Sequence, residues 1–288
     1  VSNQRVIIND LFQSAESVLL CADPHDKAHA SMELHSTWCE LSELQRQNVL
    51  AAISTSTLRV LDAPGRPETP ALVDARTLPK RGMGSEAGRL ALVHSLAHIE
   101  FNAINLALDA VYRFRDQPAD YYVEWLRVAS DEGKHFLLLS DRLKVLGSSY
   151  GALDAHDGLW DMARRTEHDV LVRMALVPRI LEARGLDVAP PMIAKLRKLG
   201  DADTADILQR IYTDEIRHVE VGNRWFRHVC AQRDLDGTRV FRDLLEGANS
   251  AYLRSPYNRE ARLQAGFNDE ELALIQEMEI EYRDAQAG

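Results

Sequence analysis

The sequence predicts an all-α protein organised around a bundle of long helices, and three observations predict it. Apolar residues recur at three- and four-residue spacing through four stretches of roughly 25 residues each. The two-residue alternation that marks strands is nearly absent. Finally, a five-residue pattern of acid, acid, any residue, base and histidine occurs twice, each time within one of the long periodic stretches.

Composition sets the outer bounds. The 288 residues are 45% hydrophobic and 27% charged, which is ordinary for a globular chain with room for a substantial core. The net charge of -10 argues against non-specific nucleic-acid binding, which needs Lys and Arg to displace counterions from phosphate. Cys21, Cys39 and Cys230 form no CxxC pair, so free thiols in a reducing compartment are expected and a four-thiolate iron site within this chain is excluded. There is no apolar run of membrane-spanning length and no signal-peptide pattern, so a cytoplasmic location is expected.

Taken in order, the chain reads as helix from Val6 to Cys21 and again from Leu34 to Ile53. The stretch from Ala63 to Gly84 carries Pro64, Pro67, Pro70 and Pro79 and cannot be helical; it predicts an extended arm or a linker. Ser85 is a candidate N-cap for a helix that carries its periodicity from Leu90 to Phe114. A turn at Asp116–Pro118 leads to a helix over Ala119–Leu146, stopped by Gly147. A third long helix is expected over Leu159–Arg184, stopped by Gly185, with a short helix opened by Pro190-Pro191. A fourth runs over Ala202–Ala231, and a last amphipathic helix begins near Asn268. Three parts follow: residues 1–84 as helices and arm, 85–231 as a four-helix bundle, and 232–288 as a helical extension.

The repeated pattern carries the chemistry. Asp131-Glu132-Gly133-Lys134-His135 and Asp214-Glu215-Ile216-Arg217-His218 each set a Glu and a His about one helical turn apart on one face, where both can reach one metal ion. From this composition about 0.03 such pentapeptides are expected per chain, so two are not an accident. A bundle site for two metals needs one further Glu from each of two other helices. Glu100 lies on an apolar face with Leu96, Ala97, Ala103 and Ile104, where a lone carboxylate is costly to bury unless paired or metal-bound. On the third helix Glu182 is the candidate, with Glu167 as the alternative. Glu100 precedes Glu132 by 32 residues and Glu182 precedes Glu215 by 33, as expected of two similar helical hairpins. Carboxylate oxygens with one imidazole per ion suit iron, or manganese in its place, better than zinc. Asp131 and Asp214 are placed to take the free ring N–H of a ligand histidine, with Lys134 and Arg217 balancing their charge. Tyr212, one turn before Glu215, is a candidate redox-active phenol.

These paired segments, with Glu100 and Glu182, resemble the di-iron carboxylate proteins of the ferritin-like superfamily, among them the ribonucleotide reductase small subunit, bacterial multicomponent monooxygenases and rubrerythrin. Leu181-Glu182-Ala183-Arg184 is similar to the third helix of a tRNA-modifying hydroxylase of that group. Over nearly the whole chain, through stretches such as Arg81-Gly82-Met83-Gly84, Ala155–Trp160, Pro178–Asp187 and Gly222–Phe226, the sequence resembles a bacterial family of ferritin-like proteins without an established function. The resemblance implies two iron ions held by Glu100, Glu132, His135, Glu182, Glu215 and His218, and an oxidoreductase that uses dioxygen to oxidise or hydroxylate a small organic substrate with electrons from a separate donor. The alternative is an iron-handling ferroxidase or peroxide scavenger with no organic substrate. A homodimer is compatible with either; nucleic acid and membrane are not expected as partners.

Overall fold

The computed structural model describes residues 10–52, 58–79 and 81–287. Among the described residues the regular structure is helical, with no strand and a single isolated β-bridge, between Leu72 and Ala155, in keeping with an all-α bundle fold. The chain divides into two compact units, Val1–Arg164 and Arg165–Gly288.

In the first unit, α1 (Leu11–Leu19) starts at Asp10, whose side chain accepts the N–H groups of Phe12 and Gln13. The expected start at Val6 lies outside the described residues. The single helix expected over Leu34–Ile53 is instead two helices, and the first begins ten residues earlier. Asp23 caps α2 (Pro24–Glu40), with Pro24 in the first turn where its missing N–H costs nothing. The chain breaks at Leu41, and α3 (Glu43–Ala52) opens with a reciprocal cap: Ser42 donates its N–H to Gln45 Oε1, and Gln45 returns its N–H to Ser42 Oγ.

Helix α4 (Glu86–Arg113) is capped by Ser85, which accepts from Gly88. The Tyr122 hydroxyl closes the turn into α5 (Ala119–Val145) by donating to the Phe114 carbonyl and accepting from Gln117 N–H. Gly147 ends α5 at φ 75°, the left-handed conformation that leaves Ser148 N–H on the Leu143 carbonyl. Helix α5 packs on both α4 and α2, and α1 packs on α4. The proline-rich stretch is an arm fastened at points from Gly65 to Val73. Gly65 N–H donates to the Leu19 carbonyl, Arg66 pairs with Asp157, and Ala155 exchanges backbone hydrogen bonds with Ala71 and Val73. Lys27, fully buried, donates from Nζ to the carbonyls of Leu19 and Gly65 and to Asn105 Oδ1, joining α1, the arm and α4. Helix α6 (Gly158–Arg165) reaches the unit boundary.

The third long helix departs most from expectation. The helix that starts at Gly158 stops at Arg165, residues 166–169 form a turn, and Asp169 caps α7 (Val170–Leu176). The run then widens into a π turn over Val177–Glu182 and continues as α8 (Ala183–Lys198), straight through Gly185 and the Pro190-Pro191 pair. Pro178 explains the widening: its ring crowds the carbonyl a turn earlier, and the Ala183 N–H reaches back five residues to the Pro178 carbonyl. The prolines inside α8 are tolerated because a donor comes from elsewhere. Pro190 cannot bond the Leu186 carbonyl, and Asn258 Nδ2 donates to it instead.

Asp201 caps α9 (Ala202–Gln232), against which α7, the π turn and α8 all pack. A Cβ on Gly222 of α9 would lie 2.2 Å from the Pro178 ring, so only glycine admits that proline. The C-terminal stretch holds α10 (Gly237–Leu245), a 3-10 turn over Gly247–Tyr252, α11 (Arg259–Gln264) and α12 (Asp269–Ala287). Only α12 is anticipated from the sequence. Arg262 of α11 is buried on Asp187 of α8, with Nη2 2.8 Å and Nε 3.0 Å from its two carboxylate oxygens.

Candidate metal centre

In the first unit, α4 supplies Glu100 and α5 supplies Glu132 and His135. All three are buried, with 5%, 1% and 2% of their surface exposed. His135 Nδ1 lies 3.2 Å from Glu100 Oε2 and 3.3 Å from Glu132 Oε2, and one ligand atom from each of the three falls within 4.8 Å of the others. Ligand atoms about 2.1 Å from an octahedral ion at right angles lie about 3 Å apart, so this spacing fits the edges of a coordination shell. The electrostatics agree. Burial, then the neighbouring Glu132 charge, push the Glu100 carboxyl well above its usual range, although its contact with His135 opposes the shift. Two buried carboxylates and an imidazole at this spacing suit a cation, and this buried Glu/His cluster could bind a metal ion.

Helix periodicity alone brings Glu132 and His135 together. What brings them deep is the glycine between them: a Cβ on Gly133 would lie 2.7 Å from Ser31 Oγ and 2.8 Å from the Ala28 carbonyl oxygen. Thus α2 crosses α5 at the middle residue of the motif. Ser31 Oγ, bonded to the carbonyls of Ala28 and Ala129, cements the crossing.

In the second unit, α9 supplies Glu215 and His218, with Glu215 Oε1 3.2 Å from His218 Nδ1 and the histidine fully buried. The two motifs therefore repeat the same local geometry, each histidine offering Nδ1 to the glutamate three residues before it. Glu182 is half-buried at the last position of the π turn, and it does not join Glu215 and His218 in a group as tight as the first. Glu167, its rival, is exposed on the turn between α6 and α7.

In each motif the base pairs with the acid three residues before it. Lys134 Nζ donates to Asp131 Oδ1 at 2.9 Å, and Arg217 Nη2 to Asp214 Oδ1 at 3.4 Å. The Tyr212 hydroxyl accepts from Asn258 Nδ2 at 3.1 Å, which ties it to the C-terminal segment.

Histidines 94 and 98 build a different feature. His94 Nε2 accepts the Gly151 N–H, with the Leu153 N–H nearby. His98 Nδ1 meets the Tyr150 hydroxyl and Nε2 meets the His156 carbonyl, which the neutral ring satisfies by accepting at one nitrogen and donating at the other. Burial lowers His98 to about 4 and lowers His94 as well, matching those neutral roles. Together they staple the loop after α5 to α4. Sequence reading passed over the turn before α7, the π turn and the role of Gly133. A glycine at the middle of one motif and Ile216 at the middle of the other was the available signal for the last.

Residues 20–273 match the model of a family described as a protein of unknown function, DUF455. An uncharacterized protein of Haemophilus influenzae is 39% identical over 289 aligned positions, covering 95% of this chain and 96% of the relative. No solved structure matches the chain. A family match over most of the length and a relative similar from end to end agree, and the chain belongs to the DUF455 family.

Proposed function

We propose that the protein is a di-iron oxidoreductase of ferritin-like architecture, with Glu100, Glu132, His135, Glu182, Glu215 and His218 together holding two iron ions. The observation that carries this reading is the buried triad of Glu100, Glu132 and His135, whose atoms stand at coordination-shell spacing. The repeat of the Glu–His contact in the second unit supports it, as does the π turn that ends on Glu182, because such turns recur at functional sites.

Two adjacent irons supply the electrons and the Lewis acidity needed to activate dioxygen. Oxidation of a C–H bond then balances as one oxygen atom entering the substrate and the other leaving as water, with two electrons and two protons from an external reductant. The chain's residues do the rest. Glu100 gives up the proton that burial favours, and with Glu132 it would hold the positive charge in its place. Lys134 and Arg217 place a positive charge against Asp131 and Asp214 beside the proposed ligands. Phe101 and Phe136, each next in sequence to a proposed ligand, are buried and pack on one another with ring centroids 5.9 Å apart, so α4 and α5 meet through an apolar contact there.

The test is anaerobic iron loading followed by exposure to oxygen, read by metal content, absorption and Mössbauer spectroscopy. Two coupled irons per chain are expected. A Glu132→Ala, Glu215→Ala double variant that loads iron as well as the parent overturns the reading.

A further inference from the structure

Arg179 follows Pro178 in the π turn and is wholly buried. Its guanidinium lies over three aromatic rings, 3.9 Å from the centroid of Phe241, 4.1 Å from Phe226 and 5.2 Å from Phe267. One Nη2–H donates to Glu271 of α12. Nε and Nη1 meet no hydrogen-bond acceptor among the described residues. Burial brings the group down to about 10, so it stays charged at neutral pH.

This is a poor way to gain stability. A buried guanidinium with one carboxylate and unmet donors is commonly matched or exceeded by apolar side chains of the same volume. It is a good way to fix position, because the planar group fits a single slot between rings from α9, α10 and the segment before α12. A π turn carries one residue more than the α-helix would, and that extra residue can shift along the helix at modest cost. Each residue that such a shift passes turns by about 100° about the helix axis. Glu182, three residues after Arg179, is the last residue of this turn.

We infer that Arg179 is a positioning residue that fixes the register of the π turn and so sets the direction of the Glu182 carboxylate at the metal site. The inference rests on the di-metal reading above. It gives the C-terminal helices a task in metal binding, since α10 and α12 furnish Phe241 and Glu271.

The test titrates the full chain with Mn(II), followed by electron paramagnetic resonance, circular dichroism and thermal unfolding. An Arg179→Met, Glu271→Met double variant replaces the buried pair by apolar volume and is expected to keep the parent's helicity. The parent should take up two ions with an exchange-coupled signal. The double variant should bind the second ion about 10–100-fold more weakly and show an uncoupled six-line signal. Phe241→Leu, which thins the cage while leaving both charges, should weaken the second ion in the same direction and decides the matter if the double variant does not fold. A folded variant that binds two ions with the parent's affinity and coupling overturns the inference and leaves the di-metal reading standing. A parent chain that takes up fewer than two ions overturns both.

Discussion

Gly133 and Ala28 approach so closely that a Cβ on the glycine would lie 2.8 Å from the Ala28 carbonyl oxygen. The Glu132–His135 motif is thereby also a helix crossing, and its middle residue is dictated by α2. Gly133→Ala gains up to about 1 kcal/mol of helix propensity but overpacks a backbone contact, which costs about 1–3 kcal/mol. The expected result is a net loss, read as a lower urea midpoint. Gly133→Ile, which copies the second motif, should lose more. An alanine variant as stable as the parent would show that α2 yields freely.

Glu100 and Glu132 oppose each other in the metal-free chain. Glu100→Gln removes one charge while keeping the shape, so it should stabilise the apo protein at neutral pH by about 1–2 kcal/mol. On the di-metal reading Mn(II) or Fe(II) should raise the melting temperature of the parent, and the same change should abolish that rise. Thermal unfolding with chelator and with added metal checks both halves of the prediction.

Lys27 gives a pH dependence whose sign is fixed. Burial pulls its ammonium from 10.5 to about 7, although its three oxygen acceptors suit the charged form. Between these values the unfolded chain binds more protons than the folded one. This residue's contribution therefore grows as pH rises through the window and is lost as pH falls towards 7. Lys27→Met strands three oxygens and should be less stable throughout, by about 1–3 kcal/mol or more. The gap between parent and variant should widen from about pH 7 to about pH 10, as measured by urea unfolding at several pH values.

The histidine staple should be separable from the metals. His94→Ala removes the acceptor for Gly151 N–H and that near Leu153 N–H, so both amides should exchange faster with solvent deuterium. Stability should fall by about 1–3 kcal/mol while the number of bound ions stays the same. A loss of metal in a folded His94→Ala chain would mean the loop after α5 governs the site.

Much of this was written in the sequence, and the gaps have physical reasons. The helix from Ser85 and the one after Pro118 announce themselves through caps, turn residues and unbroken periodicity, and they carry Glu100, Glu132 and His135. The third stretch failed because local rules were overruled from afar. Gly185 reads as a stop and Pro190-Pro191 as the opening of a separate short helix, yet Asn258, seventy-two residues after Leu186, supplies the donor that lets α8 continue. The π turn has no periodic signature of its own; Pro178 hints at it, and Gly222 on another helix permits it. The start of α2 and the cap of α3 are legible in Asp23-Pro24 and in Ser42 with Gln45, short local signals that the broader apolar pattern over Leu34–Ile53 masks.

Asn258 holds three residues of two helices at once: its backbone N–H meets Asp187 of α8, and its side chain reaches Leu186 of α8 and Tyr212 of α9. Trimming the protein at the end of α9 would therefore not yield a smaller version of the same molecule. It would strip α8 of a donor, a carboxylate of its arginine and a phenol of its tether in one cut. Residues after Gln232 are masonry rather than a tail, and any minimal form of this protein has to retain them.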